Sequence, residues 1–155
     1  MFSTDAQLLR MDSVNKKIMR KLLPLKTFEC LYSFEEHVLR EDFRNSMIHH
    51  LMLKGGDSLG DAVRRMLVYL ITDDFAQKFS WIGFKKKEVF TNTCLPDLIF
   101  NAIRCQNCYK DASDVEIAKP LRSWLTHAKF RHLDRLKRDS LQNSMTKSLL
   151  DSKMN

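Results

Sequence analysis

The stretch Ser33–Gly56, SFEEHVLREDFRNSMIHHLMLKGG, decides the fold class. It opens on Ser33-Phe-Glu-Glu36, a capping box in which a hydroxyl caps the first turn and a carboxylate follows three residues later. Phe34, Val38, Leu39, Phe43, Met47, Ile48, Leu51 and Met52 then mark the apolar stripe of one helix. Gly55-Gly56 supplies the left-handed stop that a helix C-terminus favours.

The same grammar continues downstream. A helix is predicted from Asp57 or Ser58, carrying Leu59, Val63, Met66, Leu67, Leu70 and Ile71. Thr72-Asp-Asp74 caps a short helix through Phe75 and Phe79. Ser80 to Asn92 breaks the period: Trp81, Ile82 and Phe84 precede Lys85-Lys-Lys87, which reads as a loop or short extended piece anchored by aromatics. Helix returns at Thr93 or Leu95 with Pro96 in its first turn, where proline is tolerated, and with Leu98, Ile99, Ala102 and Ile103 as its apolar face. A second capping box, Ser113-Asp-Val-Glu116, starts the last helix, which runs through Leu121, Trp124 and Leu125 and extends through Phe130, Leu133 and Leu136. Pro120 inside that run predicts a kink or a delayed start. Upstream, Ala6 to Leu23 spaces Leu8, Met11, Val14, Ile18 and Leu22 along one stripe opposite Arg10, Lys16, Lys17, Arg20 and Lys21. Thr4 or Asp5 caps this helix and Pro24 ends it. From Asp139 onward Ser, Asn, Lys and Asp dominate, which predicts a fraying or disordered tail.

The expected fold is therefore all-α: a compact bundle of five or six helices over residues 28–138, preceded by a separate amphipathic helix and linker at 1–27 and followed by a disordered tail at 139–155. Phe79, Trp81, Phe90, Ile99, Ile103 and Trp124 are expected to be mostly buried. Composition agrees. The 155 residues are 44% hydrophobic and 29% charged, and hold only 4 Gly and 3 Pro, too few turn-formers for a many-stranded sandwich or barrel. No apolar run approaches the roughly 20 residues of a membrane span. The start of the chain lacks the basic-then-apolar layout of a secretory signal, so a reducing compartment is expected.

Sites for chemistry are sparse. No dinucleotide fingerprint, P-loop, nucleophile elbow or HExxH occurs. Cys105-Gln-Asn-Cys108 has the spacing of a zinc knuckle or a redox pair, but no second ligand pair follows at finger spacing, and it closes a helix where a thioredoxin motif would open one. Cys30, Cys94, Cys105 and Cys108 read as structural thiols. His49-His50 and His127 with His132 lie off common helix faces, which is poor geometry for one metal. The expectation is a protein without catalysis, cofactor or metal.

Charge is the strongest signal. The net charge is +7, and between Lys119 and Arg138 seven basic residues stand against Asp134 alone. Lys85, Lys86 and Lys87 beside Trp81, with Arg122, Lys129, Arg131, Arg135, Lys137 and Arg138, form the candidate nucleic-acid-binding set, because counterion release from phosphates needs concentrated positive charge. The competing readings are a solvated charged face, or a basic helix that docks an acidic protein. Arg131, Arg135 and Arg138 are expected to be largely exposed, so that their loss would move stability little. The N-terminal stripe keeps roughly heptad spacing for barely two heptads, which raises homo-oligomer pairing as a further partner reading.

Several segments together resemble a known family. Gly55-Gly56, Arg64-Arg-Met-Leu67, Phe79-Ser-Trp-Ile-Gly83, Ile99 with Ala102-Ile103, and Trp124-Leu125 with Ala128-Lys129 and Arg131 occur in an order similar to that of the domain of unknown function 4806 family. That family is found mainly in arthropod and other animal proteins, some of them transposon-related. The resemblance covers about two thirds of the chain and is most specific in Phe-Ser-Trp-x-Gly and Trp-Leu-x-x-Ala-Lys-x-Arg; it implies a fold and no settled activity. A fainter likeness to the BEN domain, all-helical and bound to DNA or chromatin proteins through its basic C-terminal part, ranks the readings. They are a nuclear nucleic-acid or chromatin module (the cytoplasm is the other compartment considered) and, as its rival, a protein-interaction module without DNA.

Overall fold

The computed structural model describes residues 2–154. The side chains of residues 2–5 and of Leu8 lie outside the description, and with them the predicted caps Thr4 and Asp5 and the first position of the N-terminal stripe. Among the described residues there are eight α-helices and one minimal sheet. They are α1 Phe2–Leu22, α2 Phe28–Val38, α3 Glu41–Met52, α4 Leu59–Leu70, α5 Asp73–Ala76, β1 Phe79–Ser80, β2 Glu88–Val89, α6 Leu95–Arg104, α7 Asp114–Thr126 and α8 Ala128–Met154. β1 and β2 pair in parallel, Phe79 opposite Glu88 and Ser80 opposite Val89. The all-α reading holds, and none of these helices is long and apolar enough to cross a membrane.

One core serves all the helices. Phe43, Met47 and Leu51 of α3 meet α6 through Leu95, Leu98, Ile99 and Ile103, while Val63, Met66, Leu67 and Leu70 of α4 pack against α6 and α7; all are fully buried. Side-chain oxygens of Ser58, Thr72 and Ser113 accept the N–H of Asp61, Phe75 and Glu116, as their cap positions require. Gly56 adopts φ 154°, and a Cβ there would lie 2.5 Å from the Ala62 backbone nitrogen.

The predicted helix over Ser33–Met52 is two helices. Thr27, whose Oγ1 accepts from Cys30 N, caps α2, and Ser33 sits inside it. The chain breaks at Leu39-Arg40, leaving Leu39 86% exposed. The reason is phase. Phe34 and Val38 are four apart, as are Phe43, Met47 and Leu51, but Val38 and Phe43 are five apart, so one straight helix would swing Phe43 off the buried face. The break resets it. Glu36, the other half of the expected box, likewise lies inside α2, while its neighbour Glu35 accepts from Cys94 N at 3.0 Å and closes the N-terminus of α6.

Three further expectations are corrected. α7 runs through Pro120 to Thr126, and the interruption falls at His127, where φ −95° and ψ 1° turn the chain into α8. Residues 139–154 continue α8 as exposed helix where a fraying tail was expected; after Pro120 the chain has no Gly or Pro, and Leu141, Met145 and Leu149 recur every fourth residue. The N-terminal helix is joined to the bundle. Met19 is buried, Ile18 and Leu22 pack on the core, and buried Leu25 exchanges backbone hydrogen bonds with the end of α4, Leu25 N to Leu70 O at 2.7 Å and Thr72 N to Leu25 O at 3.1 Å. Leu9, Met11 and Val14 remain exposed, so the stripe is split between core and surface.

Candidate functional site

An aromatic cluster fixes the segment that carries Trp81. Phe75 stands edge-on to Phe28 and to Phe79, with centroids 4.9 Å and 5.1 Å apart, and Phe79 stands edge-on to Phe90 at 5.8 Å. With Phe79 and Phe90 buried at its two ends, the intervening chain is pressed into a tight excursion. Ser80 Oγ accepts the Phe84 N–H at 2.5 Å, and Lys78 O accepts the Glu88 N–H at 2.9 Å. Gly83 takes φ 84°, and Lys85 and Lys86 follow with φ 57° and 62°. Left-handed backbone costs a side-chain-bearing residue roughly 1–2 kcal/mol, so the lysine knuckle is held in place by its surroundings.

The excursion faces α7 and the root of α8 across a cleft of about 550 Å³. Trp81, Ile82, Phe84, Lys85 and Lys87 line one side; Arg122, Leu125, Thr126 and Phe130 line the other, and among the described residues no carboxylate belongs to the lining. The Arg122 guanidinium lies 5.5 Å from the centre of the Trp81 ring, within cation–π range. That pair is also part of the wall of a neighbouring cleft of about 650 Å³ formed with Phe100, Asp114, Val115, Ala118 and Lys119. Trp81 itself is half-buried, whereas Phe79, Phe90, Ile99, Ile103 and Trp124 are buried as expected.

The nine basic residues singled out in the sequence divide into groups. Lys85, Lys87 and Arg122 converge on the cleft. Lys86 is exposed on the same turn, and Lys129 is exposed beside Phe130 in the first turn of α8. Lys137 and Arg138 are exposed farther along α8. Arg131 and Arg135 are engaged within the fold. Arg131 Nε donates to Asp73 Oδ1 at 2.9 Å with its guanidinium 4.1 Å from the Trp124 ring centre, and Arg135 reaches Asp73 Oδ2 at 3.5 Å. His132 Nε2 lies 3.4 Å from Asp74 Oδ1. The expectation that Arg131 is a freely exposed phosphate contact is corrected: its partner Asp73 is buried, and two opposite charges meeting there satisfy each other before they meet a ligand.

Sequence reading missed the apolar half of the cleft. Ile82, Phe84 and Phe130 are 75%, 69% and 64% exposed. Ile82 and Phe84 flank Gly83 in a segment without helical periodicity, a signal available in the sequence, whereas the spacing of Phe130 puts it on the apolar stripe of the last helix.

Burial, with the Glu35 carboxylate nearby, pushes the Cys94 thiol up to about 12. Cys105 and Cys108 are exposed and unpaired. His50 is held below its ordinary value, chiefly by burial, with its Nε2 3.8 Å from Asp12 Oδ1. Among the described residues no group of three or more His, Cys, Asp or Glu side chains could hold a metal ion.

No protein-family model, curated protein or solved structure matches this chain.

Proposed function

We propose that the chain is a non-enzymatic module that binds nucleic acid, in a nuclear or chromatin setting, through the cleft beside Trp81. The observation that carries this reading is the convergence of Lys85, Lys87 and Arg122 on one cleft whose lining, among the described residues, has no carboxylate. Lys129, exposed in the first turn of α8, adds a further cation to that helix. Contacts of this kind hold phosphates without reading base edges, so affinity is expected to be nearly independent of sequence, at roughly 10⁻⁴–10⁻⁶ M under physiological salt. The proposal includes kinship with the domain of unknown function 4806 family. Its two most specific segments here, Phe79 to Gly83 and Trp124 to Arg131, both contribute residues to this region of the fold.

The test is a fluorescence-anisotropy titration of DNA at several salt concentrations. Substituting Lys85, Lys87 and Arg122 together with Ala should weaken binding to all sequences alike. For duplex DNA the salt slope should flatten by roughly 0.9 per lost contact. A parent chain that fails to bind at low salt, or a triple variant that binds as well as the parent, overturns the reading.

A second reading has its own observation. Exposed Ile82, Phe84 and Phe130 beside three cations also suit an acidic polypeptide that carries apolar side chains. Tight binding of such a peptide, with DNA ignored at low salt, would put it first.

A further inference from the structure

The cleft that carries the nucleic-acid reading is mostly apolar, and this bears on which nucleic acid it takes. Two exposed phenyl rings, Phe84 on the lysine knuckle and Phe130 on α8, line it from opposite sides, with half-buried Trp81 between β1 and the knuckle. Lys85, Lys87 and Arg122 stand around those rings. A duplex presents phosphates and groove edges but keeps its base faces stacked on one another, so it leaves exposed rings unmatched. An unpaired strand offers both halves of the required chemistry: a phosphate backbone for the cations and free base faces for the aromatics. An acidic peptide would match the charges, but two exposed rings among cations favour flat π-surfaces over aliphatic side chains.

We propose, resting on the nucleic-acid reading above, that the Trp81 cleft takes unpaired nucleotides of a single strand, with at least one base stacked on Phe84 or Phe130 and the adjoining phosphates held by Lys85, Lys87 and Arg122. Stacking is tolerant of base identity because every base has a π-face, so preference is for strandedness over sequence. The left-handed Lys85-Lys86 turn holds the Phe84 ring beside the cleft lysines, which reduces the ordering that binding would otherwise require.

The test uses the full chain and four labelled or competing probes in anisotropy titrations at matched length and salt: a single-stranded thymidine oligomer, the corresponding duplex, an abasic deoxyribose-phosphate oligomer, and an acidic peptide containing Phe and Leu. The thymidine oligomer should bind at least about tenfold more tightly than the duplex and the abasic oligomer, the factor expected of one stacked base. Phe84→Ala and Phe130→Ala should each lower single-strand affinity by about that factor and leave the salt slope unchanged. Both rings are exposed, so both variants should keep the parent's far-UV circular dichroism; Phe84→Leu provides a bulk-preserving control that should bind like Phe84→Ala. Equal binding of duplex or abasic oligomer overturns the inference and leaves the phosphate reading standing. Peptide binding tighter than that of the single strand assigns the cleft to a polypeptide and overturns it. Absence of binding by every nucleic acid at low salt overturns the inference together with the proposed function.

Discussion

Arg131 of α8 donates from Nε to Asp73 Oδ1 of α5 across 2.9 Å, and lays its guanidinium 4.1 Å from the centre of the Trp124 ring of α7. One side chain therefore ties three helices together, on a carboxylate that is only 7% exposed. Removing one partner of a buried pair costs about 3–5 kcal/mol, and partial exposure of Arg131 lowers that to about 2–3 kcal/mol for Arg131→Ala. Arg135, 60% exposed at its side chain, should cost less than about 1 kcal/mol as Arg135→Ala. Urea denaturation of the two variants should rank them in that order; equal losses would mean that Asp73 does not depend on Arg131.

Two glycines should respond to the same substitution with opposite signs. At Gly56 a new Cβ meets backbone atoms of Ala62 at 2.5 Å and 2.6 Å, and φ is 154°. Neither atom can retreat without moving α4, so Gly56→Ala should destabilise by about 2–3 kcal/mol. At Gly60, within α4, the nearest neighbour is Arg64 Nη1 at 3.2 Å, the tip of a flexible side chain. Gly60→Ala should stabilise by about 0.5–1 kcal/mol through helix propensity. Thermal unfolding of both variants reads the contrast directly.

Acid should loosen the α1–α3 contact through His50. Burial depresses its value, and Lys16, His49 and Lys54 add to that, while Asp12 opposes it. A depressed base binds fewer protons folded than unfolded, so stability falls as pH drops through the ordinary value near 6.5. Asp12, held low chiefly by the hydrogen bond from Ser46, loses its contribution only in the more acidic range below its ordinary 3.8. Urea midpoints at pH 7.5 and pH 5.5 should therefore separate for the parent and draw together for His50→Gln. An undiminished separation in the variant would remove His50 from the account.

The cysteines should titrate in separate classes. Cys105 and Cys108 are exposed and should react at once with a disulfide reagent at neutral pH. Cys94, pushed up to about 12 by burial, should stay silent until the chain is unfolded. Fast loss of a Cys94 peptide from the unmodified pool in mass spectrometry would contradict its packing against the core.

Much of this architecture was legible in the chain. Ser58, Thr72 and Ser113 cap where their positions say, because a cap is a local hydrogen bond that three or four residues determine. The break at Leu39-Arg40 was legible too, in the five-residue gap between Val38 and Phe43, but apolar content alone hid it. What could not be read was tertiary partnership. Glu35 serves a helix 59 residues away, and Asp73 claims two arginines that in sequence belong to a uniform basic run. The candidate site divides along the same line. Its cations were visible as charge, whereas the opposition of Phe84 and Phe130 needed the turn at His127 and the clustered aromatics that press the Trp81 segment outward.

The turn at His127 also has a mechanical consequence. α8 is 27 residues and so about 40 Å long. Its Arg131–Asp73 clamp sits one helical turn, about 6 Å, from the pivot. From Leu133 to Met154 every side chain is exposed, which leaves most of the rod standing clear of the bundle. A rod pinned so near one end is a lever with a ratio of roughly seven. An ångström of tilt at Phe130, where the cleft meets the root of α8, becomes several ångströms of sweep at the far tip.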